Sequence, residues 1–171
     1  PQISLAHLAS SQGLTLFGTD YNELSGTAVS GAGDINGDGF GDVLVGAPFA
    51  KSATTTGRAF LVFGAESAEP VVKLDEMPAG KGFVLTGIHE ADGAGSAVAI
   101  AGDLNADGFD DLVVGAPGAN GEEGGAPVAG ATFVVFGSSN IGAAGSIDLT
   151  ALDGATGFTV HGLAVNDQSG Y

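Results

Sequence analysis

The chain has 171 residues, with 20 acidic side chains against 4 basic ones and a formal net charge of −16, so it carries no basic footprint for nucleic acid or for an anionic membrane surface. Apolar residues make up 44 %, enough for a packed core and too many for a disordered acidic segment. With no Cys there is no disulfide framework, thiolate metal site or Cys nucleophile, and no apolar run approaches the ~18 residues of a membrane span.

Taken in chain order, the first strand pattern is Leu14-Thr15-Leu16-Phe17, framed by Gly13 and Gly18, with a further glycine eight residues on at Gly26. Thr27 to Ala32 alternates small and branched residues. An acidic loop, Asp34-Ile35-Asn36-Gly37-Asp38-Gly39-Phe40-Gly41-Asp42, leads into Val43-Leu44-Val45 and then Gly46-Ala47-Pro48, where the proline is expected to halt the ladder. Phe60 to Gly64 is another β-type run, and Val72 to Met77 is long enough for a single helical turn. Gly82 to Gly87, with Gly95 after it, repeats the opening element.

The whole series then returns. Ser96 to Ala101 answers Thr27 to Ala32, and the loop recurs 69 residues on, from Asp34 to Asp103, as Asp103-Leu104-Asn105-Ala106-Asp107-Gly108-Phe109-Asp110-Asp111. Val114-Gly115-Ala116-Pro117, Phe133 to Gly137, a one-turn segment at Ile147 to Leu152, and Gly157 to Gly162 with Gly170 follow in order. The last repeat starts 75 residues after its predecessor, Gly82 to Gly157, and the extra residues fall around Asn120 to Gly130 and between Gly137 and Gly157, as insertions in loops do. Four short strands per ~70 residues match one blade of an all-β propeller.

The acidic loops carry the strongest chemistry. Ca²⁺ takes six to eight oxygen ligands. Asp34, Asn36 and Asp38 supply side-chain oxygens from positions 1, 3 and 5, Gly39 permits the turn, Phe40 offers its carbonyl and Asp42 closes the shell. The second loop offers Asp103, Asn105, Asp107, the Phe109 carbonyl and Asp111. Carboxylates this close repel one another without a cation. An EF-hand is excluded, because it needs Glu at position 12 and flanking helices, whereas position 12 is Val45 or Val114 in an apolar strand. The expectation is two Ca²⁺ ions, one per loop.

These residues together resemble the FG-GAP repeats of the integrin α-subunit β-propeller, which also occur in bacterial secreted and surface proteins. The resemblance implies four-stranded antiparallel blades: residues 1–25 ending in the outermost strand of a preceding blade, 26–94 and 95–163 as two blades with calcium loops, and 164–171 starting another. It also implies that the loops join the first and second strands of a blade, opposite the usual ligand surface, and that the ions are structural. Family propellers have about seven repeats, and closure takes four to eight blades. The preferred expectation is therefore a piece of a longer chain, and the alternative is a homo-oligomer.

No catalytic motif competes. His7, His89 and His161 occupy non-equivalent positions, and no nucleophile elbow, H-E-x-x-H or P-loop occurs. Glu23, Asp92 and Asp167 align across the repeats, which suits a turn better than a paired-carboxylate site. Glu122-Glu123 lies in the insertion, and Phe63 and Phe136 suit an interblade core. The functional expectation is a non-catalytic calcium-binding module of an extracellular or cell-surface adhesion protein with a protein or glycan ligand. The alternatives are an accessory domain of a larger secreted enzyme acting on polysaccharide or lipid, and a purely architectural repeat. Sites of ordinary extracellular affinity need more calcium than cytosol holds.

Overall fold

A computed structural model describes residues 13–18, 23–51, 56–66, 71–87, 92–119, 129–164 and 166–171. His7, His89, Asn120 and Glu122-Glu123 lie outside the described residues. The described chain is all-β. Its strands are β1 (Thr15–Phe17), β2 (Ala28–Gly33), β3 (Asp42–Lys51), β4 (Thr56–Val62), β5 (Val71–Lys73), β6 (Gly82–Thr86), β7 (Ala97–Gly102), β8 (Asp111–Ala116), β9 (Ala131–Val135), β10 (Ser146–Asp148) and β11 (Gly157–His161). Single 3₁₀ turns follow β5 and β10, at Leu74–Glu76 and Leu149–Ala151.

Two four-stranded antiparallel meanders repeat the same order. The first blade runs β2-β3-β4-β6 and the second β7-β8-β9-β11, each strand beside its neighbour in sequence except that β5 or β10 intervenes between the third and the fourth. Their registers correspond: Val45 pairs with Val29 and Phe60, and Val114 pairs with Val98 and Phe133. Each blade also lends a short strand to its neighbour. β5 pairs in parallel with β1, and β10 pairs in parallel with β6 on the outer edge of the first blade. β1 thus stands to β5 as β6 stands to β10.

The inner strands β4 and β6 of the first blade are covered on both faces, which is why they read as apolar runs rather than an alternation with polar residues. Leu44, Leu61, Phe83 and Leu85 join Leu112, Val114, Phe133 and Val135 of the second blade in one core. Val45, Phe60, Val62 and Leu74 face the other way and pack with Leu14, just before β1, and Leu16 within it. Phe63 packs against the shared core and lies 5.9 Å from Phe83. Phe136 is half-buried, 5.9 Å from Phe158.

The glycine of Gly-Ala-Pro is where the blades touch backbone to backbone. A β-carbon on Gly46 would lie 3.0 Å from the carbonyl carbon of Gly95 and closer still to its oxygen, and one on Gly115 would lie 2.7 Å from the carbonyl carbon of Gly170. Pro48 does not end its strand, contrary to expectation. β3 continues to Lys51, because the ladder shifts register between Ala47 and Lys51 and asks no hydrogen bond of the proline. In the second blade β8 does stop at Ala116, just before Pro117.

Candidate metal centre

Each acidic loop joins the first two strands of its blade, spanning the residues between β2 and β3 or between β7 and β8. The two loops are folded by the same set of bonds. The Asp34 carboxylate accepts from the amides of Asp38 and Gly39, both at 2.9 Å. Asn36 accepts from the Asp38 amide at 3.0 Å and donates its side-chain N–H to the Asp38 carboxylate at 2.9 Å. Asp38 in turn accepts from the Phe40 amide at 2.9 Å. In the second loop Asp103 accepts from Asp107 and Gly108, both at 3.0 Å, Asn105 bonds Asp107 twice, and Asp107 accepts from Phe109. Short polar side chains thereby satisfy amides that a tight turn leaves open. Gly39 and Gly108 sit at φ +89° and +95°, the left-handed region that a branched residue resists.

Asp42 and Asp111 anchor the loop bases. Asp42 accepts from the amides of Ile35 at 3.0 Å and Gly64 at 2.9 Å, and Asp111 from Leu104 at 2.7 Å and Gly137 at 2.9 Å. Both carboxylates are buried. Burial pushes Asp42 up to about 6, against the pull of the Gly64 and Ile35 amides, and the charges of Asp38 and Asp34 push the same way. The glycine of each Phe-Gly pair therefore belongs to the loop's floor, a link from motif to motif that the residue pattern gives no sign of.

The donor set is oxygen only, which suits a hard dication rather than a metal that seeks thiolate or imidazole ligands. Asp34, Asn36 and Asp38 are drawn into one bonded turn, and every carboxylate oxygen that accepts one amide retains a lone pair for a cation. Asp42, held at about 6 by burial and by its acidic neighbours, is a group whose charged form a nearby cation would favour. The residues fit the ion on these grounds. Among the described residues, however, no three acidic or His side chains already converge as a ready cluster.

The loops differ in surroundings. Ile35 of the first is fully buried, while its counterpart Leu104 is 54 % exposed. The second blade covers the first loop: Ser138 donates its amide to the Ile35 carbonyl at 3.1 Å, and Asp110 accepts from the Asp34 amide at 2.9 Å.

Of the other candidates, Asp167 and Glu23 bond within local turns. Asp167 accepts from the amides of Leu163 at 2.9 Å and Ala164 at 2.7 Å. Glu23 is buried and accepts from the Ser25 hydroxyl, and Asp92 is buried at the start of the second blade. His161 is exposed at the end of β11. A half-open cavity of about 450 Å³ lies between Asp107 and the connector after β9, with Phe136, Ile147 and Leu152 in its wall. No helix among the described residues is long and apolar enough to cross a membrane.

The family model for the FG-GAP repeat matches residues 25–62 and 94–135, each match opening just before the first strand of a blade and running through its third. The chain is 35 % identical over 151 residues to phosphatidylinositol-glycan-specific phospholipase D of Homo sapiens, covering 87 % of this chain and 17 % of that protein. The Bos taurus protein of the same name is 37 % identical over 136 residues, 78 % of this chain and 16 % of its own length. Integrin alpha-5 of Xenopus laevis is 38 % identical over 108 residues, 62 % of this chain and 9 % of its length. The chain thus spans about a sixth of the phospholipases it matches.

Proposed function

We propose that this chain, which carries two FG-GAP repeats, is a non-catalytic propeller module in which each acidic loop holds one structural Ca²⁺. Asp34, Asn36, Asp38, Asp42 and the Phe40 carbonyl hold one ion, and Asp103, Asn105, Asp107, Asp111 and the Phe109 carbonyl the other. The supporting observation is the twofold recurrence of one bonded turn, at the same place in two blades, built from acidic and amide oxygens. The ion stiffens a loop whose carboxylates otherwise repel one another. The module works outside the cell, where calcium reaches the range that extracellular sites need, and serves an adhesion or binding protein with a protein or glycan partner.

Melting in calcium and in chelator tests this reading. At free calcium ten times Kd, each loop adds about 1.4 kcal/mol, and two loops raise Tm by about 6–11 °C for a chain of this size. An unchanged Tm overturns it.

The similarity to phosphatidylinositol-glycan-specific phospholipase D across 87 % of this chain favours a second reading, an accessory domain of a larger secreted enzyme. Flotation with phosphatidylinositol-glycan vesicles separates the two. Calcium-dependent co-flotation supports the accessory domain, and its absence leaves the adhesion module.

A further inference from the structure

We infer that the two loops are an asymmetric, coupled pair, in which Asp110 of the second blade latches the first loop so that a cation at one site tightens the other. The inference rests on the calcium reading above. Its starting point is the two positions between loop residues 1 and 9 where glycine in one loop is replaced in the other. Gly37 corresponds to Ala106, and Gly41 corresponds to Asp110. Both differences fall at the joint between the blades.

Asp110 reaches across the joint. Its carboxylate accepts from the amide of Asp34, the first residue of the first loop, at 2.9 Å. Gly41, its counterpart, has no side chain with which to do the same toward a preceding blade. The Phe109 ring sits on Gly37: a β-carbon there would lie 2.6 Å from the ring. Ala106 carries such a carbon at the matching place in the second loop, so that loop has no equivalent seat for a phenyl ring. Gly33 belongs to the same joint, where an added β-carbon would lie 2.6 Å from Ile100 and 2.5 Å from the Asp110 carboxyl carbon. The first loop receives and the second gives. Ile35 of the first loop is buried under the second blade, whose Ser138 amide donates to its carbonyl at 3.1 Å.

The coupling follows from chain order. Phe109, whose carbonyl is the position-7 ligand of the second loop, immediately precedes Asp110 and itself covers Gly37. A cation in the second loop fixes the Phe109 peptide, and with it the carboxylate on Asp34 and the ring on Gly37. The first loop is then ordered before its own ion arrives, and a site already ordered binds more tightly. Linkage makes the effect reciprocal.

Calcium calorimetry on the full chain, at fixed ionic strength, tests it with two silenced variants. Asp107→Ala leaves only the first loop able to bind, and Asp38→Ala leaves only the second. The expected result is that each remaining site binds about 5-fold or more weaker than the same site in the intact pair, the low end of ordinary coupling. In the Asp110→Gly background, silencing one loop weakens the other by less than in the intact pair, because only the Phe109 ring on Gly37 still links them. A second readout follows the Asp34 amide by NMR in Asp38→Ala: it shifts as calcium fills the second loop, and stays still in Asp38→Ala with Asp110→Gly. Asp110→Asn keeps an oxygen acceptor and retains the shift, which covers the case in which the glycine variant folds poorly. Two ions bound independently, with a still Asp34 amide, overturn the coupling and leave the calcium reading standing. No bound calcium in the unmutated chain overturns both.

Discussion

Replacing Gly46 by Ala places a β-carbon 3.0 Å from the Gly95 carbonyl carbon and nearer to its oxygen, where ordinary contact begins at 3.4 Å. Neither partner is the end of a flexible side chain. Gly46 is held in the middle of β3 between Ala28 and Ala59. Gly95 donates its amide to the Gly115 carbonyl at 2.9 Å, so it is tied to the second blade. Relief therefore requires the blades to part by roughly 1 Å over the shared core, a strain of the size that overpacking produces, about 1–3 kcal/mol. The loss of chain freedom in the unfolded state returns only about 0.4–1 kcal/mol. At mid-range the net cost is about 1.3 kcal/mol, and at about 2–4 °C per kcal/mol for this chain length the expected fall in Tm is about 3–5 °C. Gly31→Ala is the matched control. It also lies mid-strand, in β2, with no atom within 4 Å of the added carbon, and is expected to hold or raise Tm by about 1–4 °C. Both variants are melted by circular dichroism in chelator, which separates packing from cation binding. A Gly46→Ala protein that melts with the unmutated chain refutes the close approach as the reason for that glycine.

Asp38→Ala and Asp107→Ala each lose one of two ions in calorimetry, and a variant that still binds two refutes one ion per loop. Asp111→Ala strands the buried amide of Gly137, at about 1–3 kcal/mol, frees the partly exposed amide of Leu104 to water, and lowers the urea midpoint even in chelator; a midpoint that moves only in calcium assigns Asp111 to the ion alone. The pKa of Asp42 is raised from 3.8 to about 6 in the fold, so its protonated form favours folding. That contribution is complete below about 4 and is lost as pH rises through about 6. In chelator, Tm is expected to fall between pH 4 and pH 7, with a smaller fall in Asp42→Asn; equal slopes in the two proteins refute the assignment.

The repeated strands and both loops were legible because glycine and short apolar runs punctuate them at matched spacing. β5 and β10 were not. Val71–Lys73 and Ser146–Asp148 are three residues each, too short to show a period, and their pairing is parallel to a strand of another blade. The stretches around them were expected as single turns, and only Leu74–Glu76 and Leu149–Ala151 are helical. The passage of β3 through Pro48 was hidden because a register shift leaves no composition signal. Least legible was the inequality of the loops. Ile35 and Leu104 are interchangeable in any pattern, and only the second blade's cover distinguishes them. Gly41 against Asp110 was visible as a difference, but its meaning lies in a bond between residues 76 apart in sequence.

The two glycine motifs have different tasks, and the difference can be tested. The glycine of Gly-Ala-Pro meets a neighbouring blade or the start of the next repeat, as Gly46 meets Gly95. The glycine of Phe-Gly lies beneath a loop. Gly64 donates its amide to Asp42, and its added β-carbon would lie 2.9 Å from the Phe40 β-carbon and 3.1 Å from the Gly41 carbonyl carbon, both in its own loop. Gly137 donates to Asp111 in the same way, but its added carbon would lie 2.8 Å from Phe109 of its own loop and 2.8 Å from the Ile35 oxygen of the other. Gly64→Ala thus disturbs one loop and Gly137→Ala two. Both lower stability by about 1–3 kcal/mol through overpacking. Only Gly137→Ala is expected to weaken calcium at the first loop as well as the second, read in the Asp107→Ala and Asp38→Ala backgrounds. If Gly137→Ala leaves the first loop's affinity intact, the contact with Ile35 is mere proximity, and the joint between the loops runs through Asp110 and Phe109 alone.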